Sequence, residues 1–176
     1  LITPPFTQLN APYPAAPALA RYLTERGHDA RWADASLLFA LRVYSCEGLR
    51  RVMDAAQPED DFTLSVWNAR EAYIHRVDTA VGFLQNADYT TALRISSRTL
   101  LPEADPDTTD QLLDGAEGIT ERARIIATVF LADIARFIAG TIDPAFGLSR
   151  YGERLAQSPP HFAPVKDVIL TQNIIA

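Results

Sequence analysis

The stretch LITPPFTQLNAPYPAAPALARYLTERGHDARWAD (residues 1–34) decides the fold. Leu1-Ile2-Thr3 reads as the end of a buried strand, and it runs straight into Pro4-Pro5. From Ala15 to Arg26, Leu19, Tyr22 and Leu23 recur at helical spacing and predict an apolar helix face. Pro17 fits such a helix only in its first turn. Gly27 stands where a left-handed glycine closes a helix, behind the cationic Arg26. Asp29–Ala33 reads as a second strand. Strand, helix, strand is a βαβ unit, which joins parallel strands by a right-handed crossover.

Beyond Asp34 the pattern turns helical. Residues 36–57 predict a helical region with Leu37, Leu38, Leu41 and Tyr44 on one face. Gly48 weakens its middle, and Ser45 is placed to cap a second, shorter helix. Residues 59–61 read as an acidic, solvated turn. Residues 68–87 form an amphipathic pattern through Ile74, Val77, Val81 and Leu84. Residues 89–95 lean towards helix. Residues 101–110, with two prolines and four acids, read as a loop from which Thr108 or Thr109 opens a short helix. Residues 119–142 carry the broadest apolar stripe, Ile119, Ile126, Val129, Phe130, Ile134 and Phe137, and predict a central helix that Asp143-Pro144 ends. A short helix within 146–160 and one more over 161–176 complete the reading. The fold class expected is α/β and helix-dominated: a partial Rossmann-like βαβ start over residues 1–35, then a mostly α-helical insertion over 36–176. Two strands alone do not make a stable sheet. Further strands are therefore expected at 62–67 or 91–96, or else from a segment outside these residues.

The 176 residues carry 48% hydrophobic and 22% charged side chains and a formal net charge of −6, the balance of a globular domain. No Lys/Arg run exceeds two residues, which argues against a nucleic-acid partner. No stretch reaches the length of an uncharged membrane span, and no leader pattern is visible. The single cysteine, Cys46, excludes an internal disulfide and a multi-cysteine cluster within these residues. A cytoplasmic location is expected.

The loop from Thr3 to Pro14 leaves the carboxyl end of the first strand, where open α/β sheets bind ligands. It contains no glycine, so it is no phosphate cradle of the GxGxxG or P-loop kind. Its prolines have no N–H to donate and make a stiff apolar rim, suited to a large flat ligand. Thr3, Pro4, Pro5, Phe6, Thr7, Gln8, Asn10, Tyr13 and Pro14, with Asp34 at the end of the second strand, are the candidate binding residues. Asp34 serves equally as an N-cap for the helix that follows. His28 reads as a polar residue after the helix cap, His161 as a loop residue, and Cys46 as a buried small hydrophobe. Glu71 and His75, four apart, lack a third metal ligand. No catalytic arrangement and no metal site is expected.

Pro4-Pro5, Tyr13-Pro14, Leu19 with Tyr22-Leu23, Gly27-His28 and Asp34 together resemble the N-terminal cobalamin-binding-type domain of radical SAM proteins. One subgroup is more similar still, with its TPPFTQLN opening, a Leu-Pro-Glu segment (here Leu101-Pro102-Glu103) and an FGxSRYxERL run (here Phe146 to Leu155). The resemblance extends to about Ala163. It implies a corrinoid, cobalamin, as cofactor, and a parent enzyme whose S-adenosylmethionine and [4Fe–4S] chemistry lies outside these residues, because Cys46 alone cannot supply the three-cysteine triad. The loop also lacks the histidine of the Asp-x-His-x-x-Gly motif, so the lower cobalt face is expected to have no protein imidazole. The chain is then a non-catalytic accessory portion of a longer enzyme that positions a corrinoid or a substrate, with the parent's own catalytic domain as its partner and no membrane partner. The competing expectation is an interaction module that has lost the cofactor and self-associates into a homo-oligomer.

Overall fold

The computed structural model describes residues 1–3, 14–144, 146 and 147. Contacts divide the chain into two compact units, one containing Leu1–Arg42 and the other Val43–Phe146.

In the first unit, β1 (Ile2–Thr3) pairs in parallel with β2 (Ala33–Asp34), in the register Ile2↔Ala33 and Thr3↔Asp34. Helix α1 (Ala15–Thr24) connects them. Its first backbone bond runs from Ala18 N–H to the Pro14 carbonyl, so Pro17 falls in the first turn, where a missing N–H leaves no bond unmade. At its other end Gly27, at φ +84°, donates to the Thr24 carbonyl, and His28 N–H donates to that of Leu23. That pair of bonds is the closure a left-handed glycine makes after a helix. The second strand is shorter and later than Asp29–Ala33. The helix face also differs from its prediction. Ala16 and Ala20 are buried, while Leu19 and Tyr22 are each 51% exposed, so small residues, not the large apolar ones, face inward.

Helix α2 (Ala35–Val43) follows β2 without a loop. Leu37 and Leu38 on it are exposed, against the expected shared face with Tyr44, which is buried. Ser45 then breaks the helical region as its residue type predicts: its hydroxyl accepts from Gly48 N–H at 3.0 Å and opens α3 (Cys46–Ala55).

The remaining described elements are all helices: α4 (Asp61–Asn68), α5 (Arg70–Asn86), α6 (Tyr89–Ser96), α7 (Pro106–Leu113) and α8 (Ile119–Thr141). Residues 62–67 and 91–96 therefore supply helix, not the further strands expected as one way of completing the sheet. Three of these helices open on one pattern, Asp-x-x-Thr. Asp60 accepts from Thr63 N–H at 2.8 Å, Asp88 from Thr91 at 2.9 Å and Asp105 from Thr108 at 3.1 Å. Each satisfies a donor that the first turn leaves orphaned. The cap of α7 is thus Asp105, ahead of Thr108 and Thr109, with Pro106 at the first helical position.

Helix α8 is central: α4, α5, α6 and α7 all pack on it, and α3 packs on α5. Its buried residues include Ala123, Ile126, Phe130, Ile134, Phe137 and Ile138, a stripe wide enough for several partners. On α5 the buried face is Tyr73, Ile74, Val77, Ala80 and Phe83, rotated from the predicted stripe because Val81 and Leu84 stay half-buried. Tyr73 stacks on Phe130, centroids 5.1 Å apart and planes within 9°.

Candidate functional site

The parallel pair places two of the candidate residues side by side. Thr3 and Asp34 are register partners at the carboxyl ends of their strands. Thr3 is buried, at 2% exposure, and Asp34 is half-buried. Helix α2 begins directly after β2, so its N-terminus brings the positive end of one helix dipole to this edge. Asp34 is committed locally: its Oδ1 accepts from Leu37 N–H at 3.0 Å, which makes it the N-cap of α2. Pro14 is exposed and occupies the capping position of α1 without a side-chain bond. The other candidates, Pro4, Pro5, Phe6, Thr7, Gln8, Asn10 and Tyr13, lie outside the described residues, as do His161 and the segment Leu148 to Leu155.

The remaining polar residues singled out in the sequence have modest settings. His28 is exposed. Glu71 lies 3.7 Å from His75 Nε2 and 3.7 Å from Arg50 Nη1 on an exposed helix surface. Among the described residues no group of three or more His, Cys, Asp or Glu could hold a metal ion. Cys46 is half-buried, not fully buried, because it sits in the first turn of α3, where its N–H donates to Asp78 Oδ1 at 3.1 Å. Among the described residues no helix is long and apolar enough to cross a membrane.

Among the described residues, the most enclosed charged group was not one of the sequence candidates. Asp133 of α8 is 6% exposed. Its Oδ2 accepts from Tyr73 Oη at 3.3 Å and from Ala104 N–H at 3.1 Å. Burial holds its carboxyl above the ordinary range, against the lowering effect of those two bonds and of Arg136. An acid inside an apolar stripe, one turn after Phe130, is the sequence signal that marks it. Ala104 belongs to the connection between α6 and α7, which also contains Leu101-Pro102-Glu103. Arg98 clamps Glu103 with two bonds, Nε to Oε1 at 2.9 Å and Nη2 to Oε2 at 2.6 Å, and reaches Asp110 through Nη1.

No family model, no curated protein and no solved structure matches this chain.

Proposed function

We propose that the first unit is a cobalamin-accepting accessory portion of a radical SAM enzyme, built on a Rossmann-like βαβ start. The observation that supports it most is the level register of Thr3 and Asp34 at the carboxyl ends of a parallel pair. That is the edge at which open α/β sheets receive ligands. The N-terminus of α2 lies there, and the sequence that follows Thr3 is rich in proline and free of glycine, a composition that suits the amide-rich rim of a corrin better than a pyrophosphate. The unit holds and orients; the radical chemistry belongs to the parent's catalytic domain. Hydroxocobalamin titrated into the protein tests this through the corrin absorption bands. The expected result is saturable binding without the spectral shift of imidazole ligation. A strictly linear response across the titration removes the corrinoid from the proposal.

A second reading has its own support. Leu19 and Tyr22 on α1, and Leu37 and Leu38 on α2, are large apolar side chains left exposed, and the carboxylate of Asp34 is already used as a helix cap. On this reading the unit is an interaction module that self-associates or docks on the catalytic domain. Sedimentation over a wide concentration range distinguishes the two: a strictly monomeric species, together with corrinoid binding, leaves the first reading alone.

A further inference from the structure

Asp114 and Gly115 form the middle of the turn that leaves α7. Asp114 stands at φ −64° and ψ 123°, and Gly115 at φ +79°. Ala116 N–H donates across them to the Leu113 carbonyl at 3.1 Å. That is a type II turn, whose second central position favours glycine. Both residues are exposed. Among the described residues the Asp114 carboxylate has no hydrogen bond or ion pair, and neither the Gly115 N–H nor the Asp114 carbonyl takes a hydrogen bond. A Cβ at position 115 would meet nothing within 4 Å, so the flank of the pair is open to water. No other aspartate or asparagine in the chain is followed by glycine.

We propose that Asp114-Gly115 is a modification site, at which the folded chain isomerises aspartate to isoaspartate with water as the only reagent. The Gly115 nitrogen gives its proton to water and attacks Cγ of Asp114. The N–Cγ bond forms, the Cγ–O bond breaks, and the oxygen departs as water, leaving a cyclic imide. Water then adds to one imide carbonyl and breaks that carbonyl's bond to nitrogen. Opening at Cγ restores aspartate. Opening at the main-chain carbonyl leaves the chain running through Cγ and frees the former main-chain carbon as a carboxylate. One water leaves and one enters, and nothing is oxidised or reduced. At the present ψ the Gly115 nitrogen points away from Cγ, so the Asp114–Gly115 peptide must rotate before the ring closes. That rotation gives up no hydrogen bond of either group, and the opposite change falls on φ of Gly115, which glycine takes at little steric cost. Every other aspartate lacks the glycine. Asp29 is followed by Ala30 and lies 3.6 Å from Arg31, and Asp34 is followed by Ala35 and held as a cap by Leu37 N–H. The product lengthens the main chain by one carbon inside the turn that Leu113 and Ala116 close.

The test is peptide mapping of the wild-type protein after storage at neutral pH in water enriched in heavy oxygen, with fragmentation that separates isoaspartate from aspartate. The peptide containing Asp114 is expected to gain one heavy oxygen and to yield a second form that carries isoaspartate. The change is expected to run at least about tenfold faster than at Asp29-Ala30, since the alanine Cβ restricts the φ change that ring closure requires. Equal rates at the two positions overturn the proposal. So does a change at Asp114 that appears in urea and not in the folded protein, because the native turn would then keep the ring from closing. In Asp114→Glu, which keeps Gly115 and enlarges the ring that must form, uptake and isomerisation at this position are expected to fall by at least about tenfold; an undiminished rate in that variant overturns the assignment to Asp114.

Discussion

Tyr44 is buried to 4% exposure, and its hydroxyl finds no hydrogen-bond partner among the described residues. Its ring lies beside Phe146, centroids 6.5 Å apart, and burial pushes its titration up. A buried unpaired hydroxyl is a desolvation penalty with no return. Tyr44→Phe is expected to raise stability by about 1 kcal/mol in urea unfolding; a loss of that size would mean the hydroxyl is bonded. Arg98 shows the opposite compromise. It follows α6 at φ +58°, in the left-handed region that glycine occupies without penalty, yet its side chain makes the clamp on Glu103. Arg98→Gly removes the clamp and keeps the backbone at ease, while Arg98→Ala removes the clamp and retains the strain. Arg98→Ala is therefore expected to be the less stable by about 1 kcal/mol, read as a difference in urea midpoint.

At the scale of elements, the three Asp-x-x-Thr caps are short-range chemistry that the sequence reading passed over, taking residues 59–61 as a solvated turn and Thr108 or Thr109 as a helix start, although each cap and its target lie three residues apart. They mark the starts of α4, α6 and α7 better than apolar periodicity does, because these eight-residue helices are too short to show a clear period. What periodicity could not give is how helices meet. Gly140, near the end of α8, faces the start of α4, and a Cβ there would lie 3.0 Å from Thr63 Cγ2. Thr63 is buried and held by Asp60 on both sides of the capping box, so it has no room to yield. Gly140→Ala is thus expected to destabilise by about 1 kcal/mol, although alanine favours an isolated helix by a similar amount. A stabilised variant in thermal unfolding would show that the helices separate easily.

Over the whole molecule, the titrating groups pull in two directions. Backbone N–H bonds from Thr63, Thr91 and Thr108 hold Asp60, Asp88 and Asp105 below the usual aspartate range. Their contribution is complete above about pH 3.9 and is lost as pH falls through their lowered values. Asp133 is held above that range, so its contribution is present at low pH and lost as pH rises through its raised value. Stability followed by denaturant titration is expected to drop below about pH 4 in wild type and Asp133→Asn alike. Only the wild type is expected to show a further decline as pH rises through the raised Asp133 value. A decline of equal slope in both would assign it to other groups.

The sequence by itself determined the local grammar of this protein: a strand–helix–strand opening, the proline in the first turn of α1, the glycine that closes it, the serine that splits α2 from α3, and the breadth of α8. Each is written in residue types and spacings along one short segment, although the pairing of the two strands joins residues far apart in the chain. Tertiary structure decided the rest. It chose which helix face is buried, turning Ala16 and Ala20 of α1 inward in place of Leu19 and Tyr22, and rotating α5 onto Tyr73 and Phe83. It brought Tyr73, Ala104 and Asp133 together from positions 29 and 60 residues apart. Burial is a property of what packs on a surface, and the partners that desolvate a side chain come from distant parts of the chain. No spacing within one helix records them.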